Sequence, residues 1–158
     1  MLRVDIRDLQ RGPVRTDGQL DPSDPAFEGL GLGLAGPVRV DGQLQATGDG
    51  EYLWRGHVHG VVVGECRRCL TEVRDELDID VDAAVFSTDP ELADDPDFYP
   101  LGERATSVDV TDVVREELAL AAQADLLLCR DDCAGLCPRC GADLNAGPCG
   151  CHTPAEPV

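Results

Sequence analysis

Hydrophobic and polar residues alternate over much of the first 86 residues, with the period of strands that bury one face. The alternation begins at residues 2–6 and is clearest over residues 37–86. Asp41-Gly42 is a strong hairpin signal, and the Gly-Asp-Gly run at residues 48–50 indicates a second turn. The pattern therefore predicts an N-terminal strand followed by an antiparallel meander of about four strands.

Two stretches lack this alternation. Residues 11–36 are broken by Gly and Pro, which predicts irregular chain. Residues 31–36 match the string G-x-G-x-x-G of dinucleotide-binding sites. A strand pattern follows them where the pyrophosphate needs a helix N-terminus, so we predict no nucleotide site. Residues 87–107 are acidic and contain three prolines, which predicts an exposed loop.

The period changes to that of an amphipathic helix after residue 108. Asp109 is a suitable N-cap, and Asp112 adds negative charge to the first turn, where the helix dipole favours it. One face of this helix is apolar and consists of Val110, Val113, Val114, Leu118 and Ala121. The helix is predicted to end near Gln123, after which three leucines lead into Cys129.

The chain has 158 residues, which suits one domain with a small appendage. No apolar run approaches the roughly 20 residues of a membrane helix, and the N-terminus lacks the apolar segment of a signal peptide. We therefore expect a cytoplasmic protein. In that reducing compartment, clustered cysteines are more typical of metal sites or catalytic thiols than of disulfides.

The net charge is -18, from 31 acidic residues and 13 basic residues that are all arginine. Phosphate backbones repel such a chain unless a local basic patch outweighs the mean field, and basic proteins are electrostatically easier partners. Aromatic residues make up only 4% of the chain, which argues against a stacking platform for single-stranded nucleic acid.

Six of the eight cysteines fall within residues 129–151. Cys137-Pro-Arg-Cys140 followed by Gly has the form of a zinc knuckle, because a tight turn brings both sulfurs to one metal. The eight residues after Cys140 form a short hairpin that leads to Cys149 and Cys151. These four cysteines therefore predict one tetrahedral site.

The other four cysteines are Cys66, Cys69, Cys129 and Cys133. Together they predict a second four-thiolate site, which ties a turn of the meander to the end of the helix. A closed site of this kind has no open position for substrate, so we expect structural zinc and no catalysis. Six clustered cysteines can also select ligands in other combinations, which leaves one or two zinc ions open. The main rival is a redox pair of Cys66 and Cys69, although thioredoxin-like chemistry needs a helix N-terminus and strands flank the motif here.

Three further features, two sets of histidines and a set of arginines, allow either a functional or a purely structural interpretation. His57 and His59 share one face of a predicted strand and can bind metal, but exposed polar residues are the more typical explanation. His152 is a possible substitute ligand beside Cys151. Four arginines next to the cysteines can contact RNA phosphate or can offset thiolate charge, and we favour the second interpretation: Arg67, Arg68, Arg130 and Arg139.

Three segments together resemble the YceD family of bacterial and plastid proteins, also called large ribosomal RNA subunit accumulation proteins. They are G-E-C-R-R-C-L at residues 64–70, D-V-T-D-V-V-R-E-E-L at residues 109–118, and the cysteine-rich run at residues 129–151. The resemblance covers about residues 37–151. It implies a role in the accumulation of 23S rRNA, and so in large-subunit biogenesis, with no established enzymatic activity.

The resemblance also implies that all eight cysteines occupy the family's cysteine positions: Cys66, Cys69, Cys129, Cys133, Cys137, Cys140, Cys149 and Cys151. Two departures are visible. The apolar run before Cys129 lacks the prolines common there, and Val158 is reached without the family's short tail containing Asp-Pro-Arg.

We therefore predict an α+β fold with an antiparallel β-meander, one main helix and a C-terminal zinc-knuckle module. The predicted order is N-terminal strand, irregular segment and meander (1–86), acidic loop (87–108), helix and connection (109–128), zinc module (129–151) and loose tail (152–158). The predicted function is a non-enzymatic factor in large ribosomal subunit biogenesis. Its expected partner is the pre-ribosomal large subunit, through rRNA or a basic ribosomal protein, with no membrane and no nucleotide. The alternatives are an acidic zinc-stabilised module that binds a basic ribosomal protein and, more weakly, a thiol redox protein.

Overall fold

The computed structural model of the chain describes residues 2–124 and 127–151. Its strands are β1 (Arg3–Asp5), β2 (Val14–Leu20), β3 (Val38–Gly48), β4 (Glu51–Glu65), β5 (Glu72–Ser87), β6 (Phe98–Pro100) and β7 (Ser107–Asp109). Its α-helices are α1 (Ile6–Leu9) and α2 (Thr111–Ala124). Single 3-10 turns cover Pro25–Phe27, Pro90–Leu92 and Leu144–Ala146. The predicted tail at residues 152–158, with His152, lies outside the described residues.

The main sheet has five strands in the order β2-β3-β4-β5-β6. The first four strands form an antiparallel meander, and β6 lies parallel to β5 at the edge. A separate antiparallel pair joins β1 to β7. The predicted class is confirmed as a mixed α+β fold with one main helix, α2. No helix among the described residues is long and apolar enough to cross a membrane.

β3 runs through Asp41-Gly42 without a turn, so the predicted hairpin there is wrong. The reason is the indole ring of Trp54, which is fully buried on the inner face of the sheet. A Cβ atom at Gly42 would lie 2.8 Å from the indole Nε1 and 2.6 Å from the carbonyl oxygen of Arg55. Glycine is therefore present at this position to make room for the ring within a strand. The turn predicted at residues 48–50 does join β3 to β4.

The prediction of irregular chain over residues 11–36 is wrong for β2, which pairs with β3 along its whole length. β2 carries few apolar residues, because a threonine takes the central core position. Thr16 is fully buried, and its Oγ1 accepts a hydrogen bond of 2.8 Å from the Nε1 of Trp54. A count of apolar residues cannot detect a strand whose inward side chain is polar and paired.

The Gly-rich run at residues 31–36 lies beside β4. The backbone N–H of Ala35 donates to the carbonyl of Val61, and that of Val63 donates to the carbonyl of Gly33. β3 follows this run, and no helix lies between them. The run therefore pairs with β4 at residues 61–63, beyond His59, where the pairing of β3 with β4 ends.

The acidic segment after β5 is less open than predicted, because it contains β6. The ring centroids of Phe86 and Tyr99 are 5.2 Å apart, which packs β6 against β5. The Tyr99 hydroxyl donates a 2.7 Å hydrogen bond to Glu116 of α2. Burial raises the pKa of this phenol, and the neighbouring carboxylate adds to the effect. The N-terminal strand is also shorter than predicted, since Ile6 begins α1.

The core lies between the inner face of the sheet and α2. The predicted apolar face of the helix is confirmed for Val113, Val114 and Leu118, which are fully buried, and for Ala121, which is partly buried. Val110 is also fully buried, but it directly precedes α2. An irregularity in the β4–β5 register between Trp54 and Gly56 reverses the alternation of β5. Phe86 therefore enters the core, and Val85 is only half-buried.

The β4–β5 hairpin is the longest element of the fold, with strands of 15 and 16 residues. Glu65 and Glu72 form its last paired positions, and residues 66–71 close the turn. The hairpin thus carries the first pair of cysteines at its tip.

Candidate metal centres

The tip of the β4–β5 hairpin is a tight turn that aims two sulfur atoms in one direction. The N–H of Cys66 donates to the carbonyl of Thr71 at 2.8 Å, and the N–H of Leu70 donates to the carbonyl of Cys66 at 2.9 Å. Leu70 has a φ of 62°, the only positive φ at a non-glycine residue in the described ranges. The backbone shape of this turn therefore depends on a left-handed residue directly after Cys69.

Residues 137–142 form the same turn. The N–H of Cys137 donates to the carbonyl of Ala142 at 2.8 Å, and the N–H of Gly141 donates to the carbonyl of Cys137, also at 2.8 Å. Gly141 has a φ of 75° and occupies the position that Leu70 holds in the first turn. The two Cys-x-x-Cys segments are therefore structural repeats of one knuckle, and only the second has glycine where the backbone favours it.

Cys129 and Cys133 complete the first group of four cysteines. All four sulfur atoms lie within 4.8 Å of one another. The Sγ atoms of Cys66 and Cys133 are 3.8 Å apart, and those of Cys69 and Cys129 are 3.6 Å apart. A zinc ion with Zn–S bonds of about 2.3 Å sets its sulfurs about 3.8 Å apart, whereas a disulfide needs about 2.05 Å. The spacing therefore suits a tetrahedral metal site and not a pair of disulfides.

The second group contains Cys137, Cys140, Cys149 and Cys151, whose sulfur atoms also lie within 4.8 Å of one another. This group is more open than the first, since only one of its cysteines is buried. The structure thus divides the eight cysteines into the same two sets that their spacing suggested. No other group of three or more potential ligands comes together in residues 2–124 and 127–151.

The first group sits in an apolar cluster of its own. Cys66, Cys69 and Cys133 are buried there, and Val73, Leu128 and Leu136 pack around them. This cluster is separate from the main core of the sheet and α2. Burial among apolar side chains excludes water from these three sulfurs, whereas Cys129 is exposed, and it makes uncompensated negative charge costly there.

Asn145 links the two groups, and sequence reasoning missed it. Its Nδ2 donates to the Sγ of Cys133 at 3.3 Å, although Asn145 belongs to the loop of the second group. Its Oδ1 accepts hydrogen bonds from the N–H of Ala134 at 2.8 Å and from Arg130 at 2.7 Å. No motif marks this residue in the sequence, because its partners lie 11 to 15 residues away in an irregular loop.

Arg68 and Arg130 hold the cysteine-rich loops together. Arg68 donates to the carbonyl of Cys133 at 3.1 Å and to that of Asp131 at 3.3 Å. Arg130 contacts Asn145 and also pairs with Asp132 at 3.4 Å. These contacts favour a local structural role for the two arginines. Arg67 is exposed, and its backbone N–H donates to Leu127.

The thiols of each group differ in acidity. Backbone N–H groups, chiefly that of Cys129, lower the pKa of Cys66 to about 6, and those of Cys140 and Arg139 lower the pKa of Cys137 to about 6. Burial raises the pKa of Cys129, and the neighbouring sulfur atoms of Cys133, Cys69 and Cys66 add to the effect. The hydrogen bond from Asn145 lowers the pKa of Cys133 as well, so each group contains both thiols that ionise easily and thiols that resist ionisation. A divalent cation supplies the positive charge that four thiolates need.

His57 and His59 lie on the outer face of the sheet, away from the cysteines. His57 bonds to Asp80 at 2.9 Å and to Asp78 at 3.2 Å, and His59 bonds to Asp78 at 2.8 Å. The carboxylate of Asp80 raises the pKa of His57. The pair therefore takes part in a hydrogen-bonded network with two aspartates at the surface of the sheet, which agrees with the interpretation of these histidines as surface polar residues.

Comparison with known proteins identifies one matching family and three similar proteins. The family model described as "Large ribosomal RNA subunit accumulation protein YceD" matches residues 54–157, more than half of the chain, and this range includes all eight cysteines. Uncharacterized proteins of Mycobacterium bovis (strain ATCC BAA-935 / AF2122/97) and Mycobacterium tuberculosis (strains CDC 1551 / Oshkosh and ATCC 25618 / H37Rv) are each 30% identical over 107 residues. These matches cover 65% of this chain and 49% of each relative, so the chain spans about half the length of the curated relatives it matches. No solved structure matches the chain.

Proposed function

This chain belongs to the YceD family of large ribosomal RNA subunit accumulation proteins, and from that membership we propose that it is a non-enzymatic factor in large ribosomal subunit biogenesis. In this proposal it promotes the accumulation of 23S rRNA and acts in the cytoplasm on the pre-ribosomal large subunit. The observation that carries the proposal is the family match over residues 54–157, which spans most of β4, α2 and both cysteine groups.

We further propose that each cysteine group holds one structural zinc ion. The sulfur spacing of 3.6 to 3.8 Å in the first group supports this, since it equals the edge of a zinc–thiolate tetrahedron within about 0.2 Å. Zinc at the first site clamps the tip of the β4–β5 hairpin to residues 129–133. Zinc at the second site holds residues 137–151 as a small module, which Asn145 docks onto the first site.

We expect both zinc sites to be structural and not catalytic. Four thiolates leave a zinc ion without an open position for water or substrate, so the ions contribute folding free energy. A redox role for Cys66 and Cys69 is less well supported, because Cys66 is fully buried and its turn is a knuckle between strands. Reactive thiols are typically accessible and lie at helix N-termini.

The acidity of the chain supports a second candidate. With a net charge of -18, the surface attracts basic proteins more readily than nucleic acid. In this alternative the chain is a zinc-stabilised module that binds a basic ribosomal protein, and its effect on rRNA is indirect.

Complementation tests the proposed role. A bacterium that lacks its own YceD protein should show a reduced ratio of 23S to 16S rRNA, and expression of this chain should restore the ratio. Failure of the chain to restore it, at a protein level equal to that of the native factor, would overturn the role. Capture of partners from lysate, with and without RNase, separates the two candidates. Loss of all ribosomal components after RNase supports direct rRNA contact, and retention of one basic ribosomal protein supports the alternative.

The metal proposal has its own test. Cys66→Ser should remove one zinc ion per chain and leave the second group loaded, whereas Cys140→Ser should do the reverse. Retention of both ions in Cys66→Ser, measured by mass spectrometry under native conditions, would contradict the assignment of Cys66 as a ligand.

A further inference from the structure

A groove lies on the outer face of the main sheet, on the opposite side from α2. Its volume is about 650 Å³. Its lining includes Pro37, Arg39, His59, Val61, Arg74 and Glu76. We call this surface the outer groove. One wall is the segment before β3, and the floor is the outer face of β4 and β5.

The outer groove is locally basic on an acidic protein. Arg39 and Arg74 are both exposed, and within residues 2–124 and 127–151 neither guanidinium has an ion-pair or hydrogen-bond partner. Glu76 is the only acidic residue in the lining. Among the lining residues the two arginines outweigh Glu76, whereas Asp78 lies beside the lining and bonds to His59, so the positive charge of the groove is that of the two arginine side chains. A local patch of this kind is what an acidic chain needs to bind an anion.

The sheet register sets the spacing of the two arginines. Arg39 pairs directly with His59 on β4, and Arg74 pairs with Val63, four residues further along the same strand. Two strand spacings and four residues place the Cα atoms about 16 Å apart. Two guanidinium groups at this separation reach different phosphates of one chain. His59 lies between them, with its Nδ1 held by Asp78 at 2.8 Å.

We infer that the outer groove binds the phosphate backbone of single-stranded RNA, with Arg39 and Arg74 on separate phosphates. This inference rests on the proposed role in rRNA accumulation and adds a site and a ligand class to it. Arginine is suited to the task because its planar group binds phosphate through two hydrogen bonds at once. The lining has no aromatic residue on which a base could stack, so recognition is of the backbone and independent of sequence. A basic protein would be repelled by the same two charges.

The direct test uses the zinc-loaded full chain and a fluorescein-labelled 12-nucleotide oligouridylate. In fluorescence anisotropy at 50 mM KCl, Arg39→Gln/Arg74→Gln should bind about 10- to 100-fold more weakly than the unchanged chain, since two phosphate contacts are lost. The slope of log affinity against log salt concentration should fall in magnitude by about 1.4, at about 0.7 for each contact. Arg7→Gln/Arg104→Gln is the matched control, because it removes the same two charges from exposed arginines that do not line the groove.

Equal affinity of Arg39→Gln/Arg74→Gln and the control would overturn the inference, and so would the absence of RNA binding by the unchanged chain. Both variants remove exposed side chains, so zinc content and circular dichroism should stay unchanged.

The complementation assay separates this inference from the proposed function. If the unchanged chain restores the rRNA ratio and Arg39→Gln/Arg74→Gln also restores it fully, the groove is not the rRNA contact and only this inference fails. If the unchanged chain does not restore the ratio, the proposed function itself fails. Loss of restoration in Arg39→Gln/Arg74→Gln alone supports the inference.

Discussion

The single hydrogen bond from Asn145 to Cys133 gives a sharp test of how the two cysteine groups are coupled. Asn145→Asp keeps the size of the side chain and the oxygen that accepts from Ala134 and Arg130. It replaces the Nδ2 donor, 3.3 Å from the Sγ of Cys133, with a carboxylate oxygen. The first site would then have an added negative charge against a cluster that already carries about two negative charges when zinc is bound.

The repulsion between the new carboxylate and the thiolate of Cys133 can be calculated from the 3.3 Å that separates Asn145 Nδ2 and Cys133 Sγ. Two unit charges 3.3 Å apart repel by about 1.3 kcal/mol in bulk water and about 5 kcal/mol at an effective dielectric constant of 20. Asn145 is half-buried, so the true value lies between these limits. Loss of an outer hydrogen bond to a metal ligand typically costs 10- to 100-fold in affinity, or about 1.4 to 2.8 kcal/mol. We therefore expect zinc affinity at the first site to fall at least tenfold.

Competition with a chromogenic zinc chelator measures this change. The unchanged chain should release two zinc ions, and Asn145→Asp should release one of them at a chelator concentration at least tenfold lower. Gln43→Glu adds the same charge on the outer face of the sheet, remote from the cysteines, and should leave both release steps unchanged. Identical release from Asn145→Asp and the unchanged chain would refute the bond to Cys133 and the docking of the second module that depends on it.

Four further substitutions test the fold. Leu70→Gly should stabilise the zinc-loaded chain by about 0.5–1 kcal/mol, because it relieves a positive φ of 62°, whereas Gly141→Ala should destabilise it by about 1 kcal/mol at a φ of 75°; urea denaturation measures both. Thr16→Val should cost about 1–3 kcal/mol by leaving a buried indole N–H unpaired, and fluorescence of the single tryptophan follows the unfolding. NMR titration should give His57 a pKa above 6.5, and Asp80→Asn should lower it. Because the folded-state pKa is raised, this pairing stabilises the fold below pH 6.5, and the contribution is lost as the pH rises through the raised pKa.

Local patterns were enough to predict the helix and most of the meander. The apolar face of α2 repeats at helical spacing, and each of its predicted core residues is buried or partly buried. The long β4–β5 hairpin likewise follows from alternation, with its turn at the first Cys-x-x-Cys motif. These features depend on neighbours within a few residues, which a single sequence displays directly.

Features that depend on distant contacts were missed or wrongly assigned. Gly42 has the sequence signature of a turn, but the ring of Trp54, 12 residues away, makes glycine necessary inside a strand. β2 was missed because the partner of Thr16 is that same indole, 38 residues away. Asn145 was missed for the same reason, since its contact with Cys133 is set by the docking of two irregular loops. The cysteines could be grouped in advance because thiol chemistry, unlike packing, restricts partners to one residue type.

The zinc content of the purified chain tests the central claim most directly. The protein should be prepared under reducing conditions without added metal, and its mass measured under native and denaturing conditions, with X-ray absorption at the zinc edge. We expect two zinc ions per chain, each with four sulfur neighbours at about 2.3 Å. A chain that folds with its thiols reduced and holds fewer than two ions, or whose zinc has fewer than four sulfur neighbours, would contradict the account.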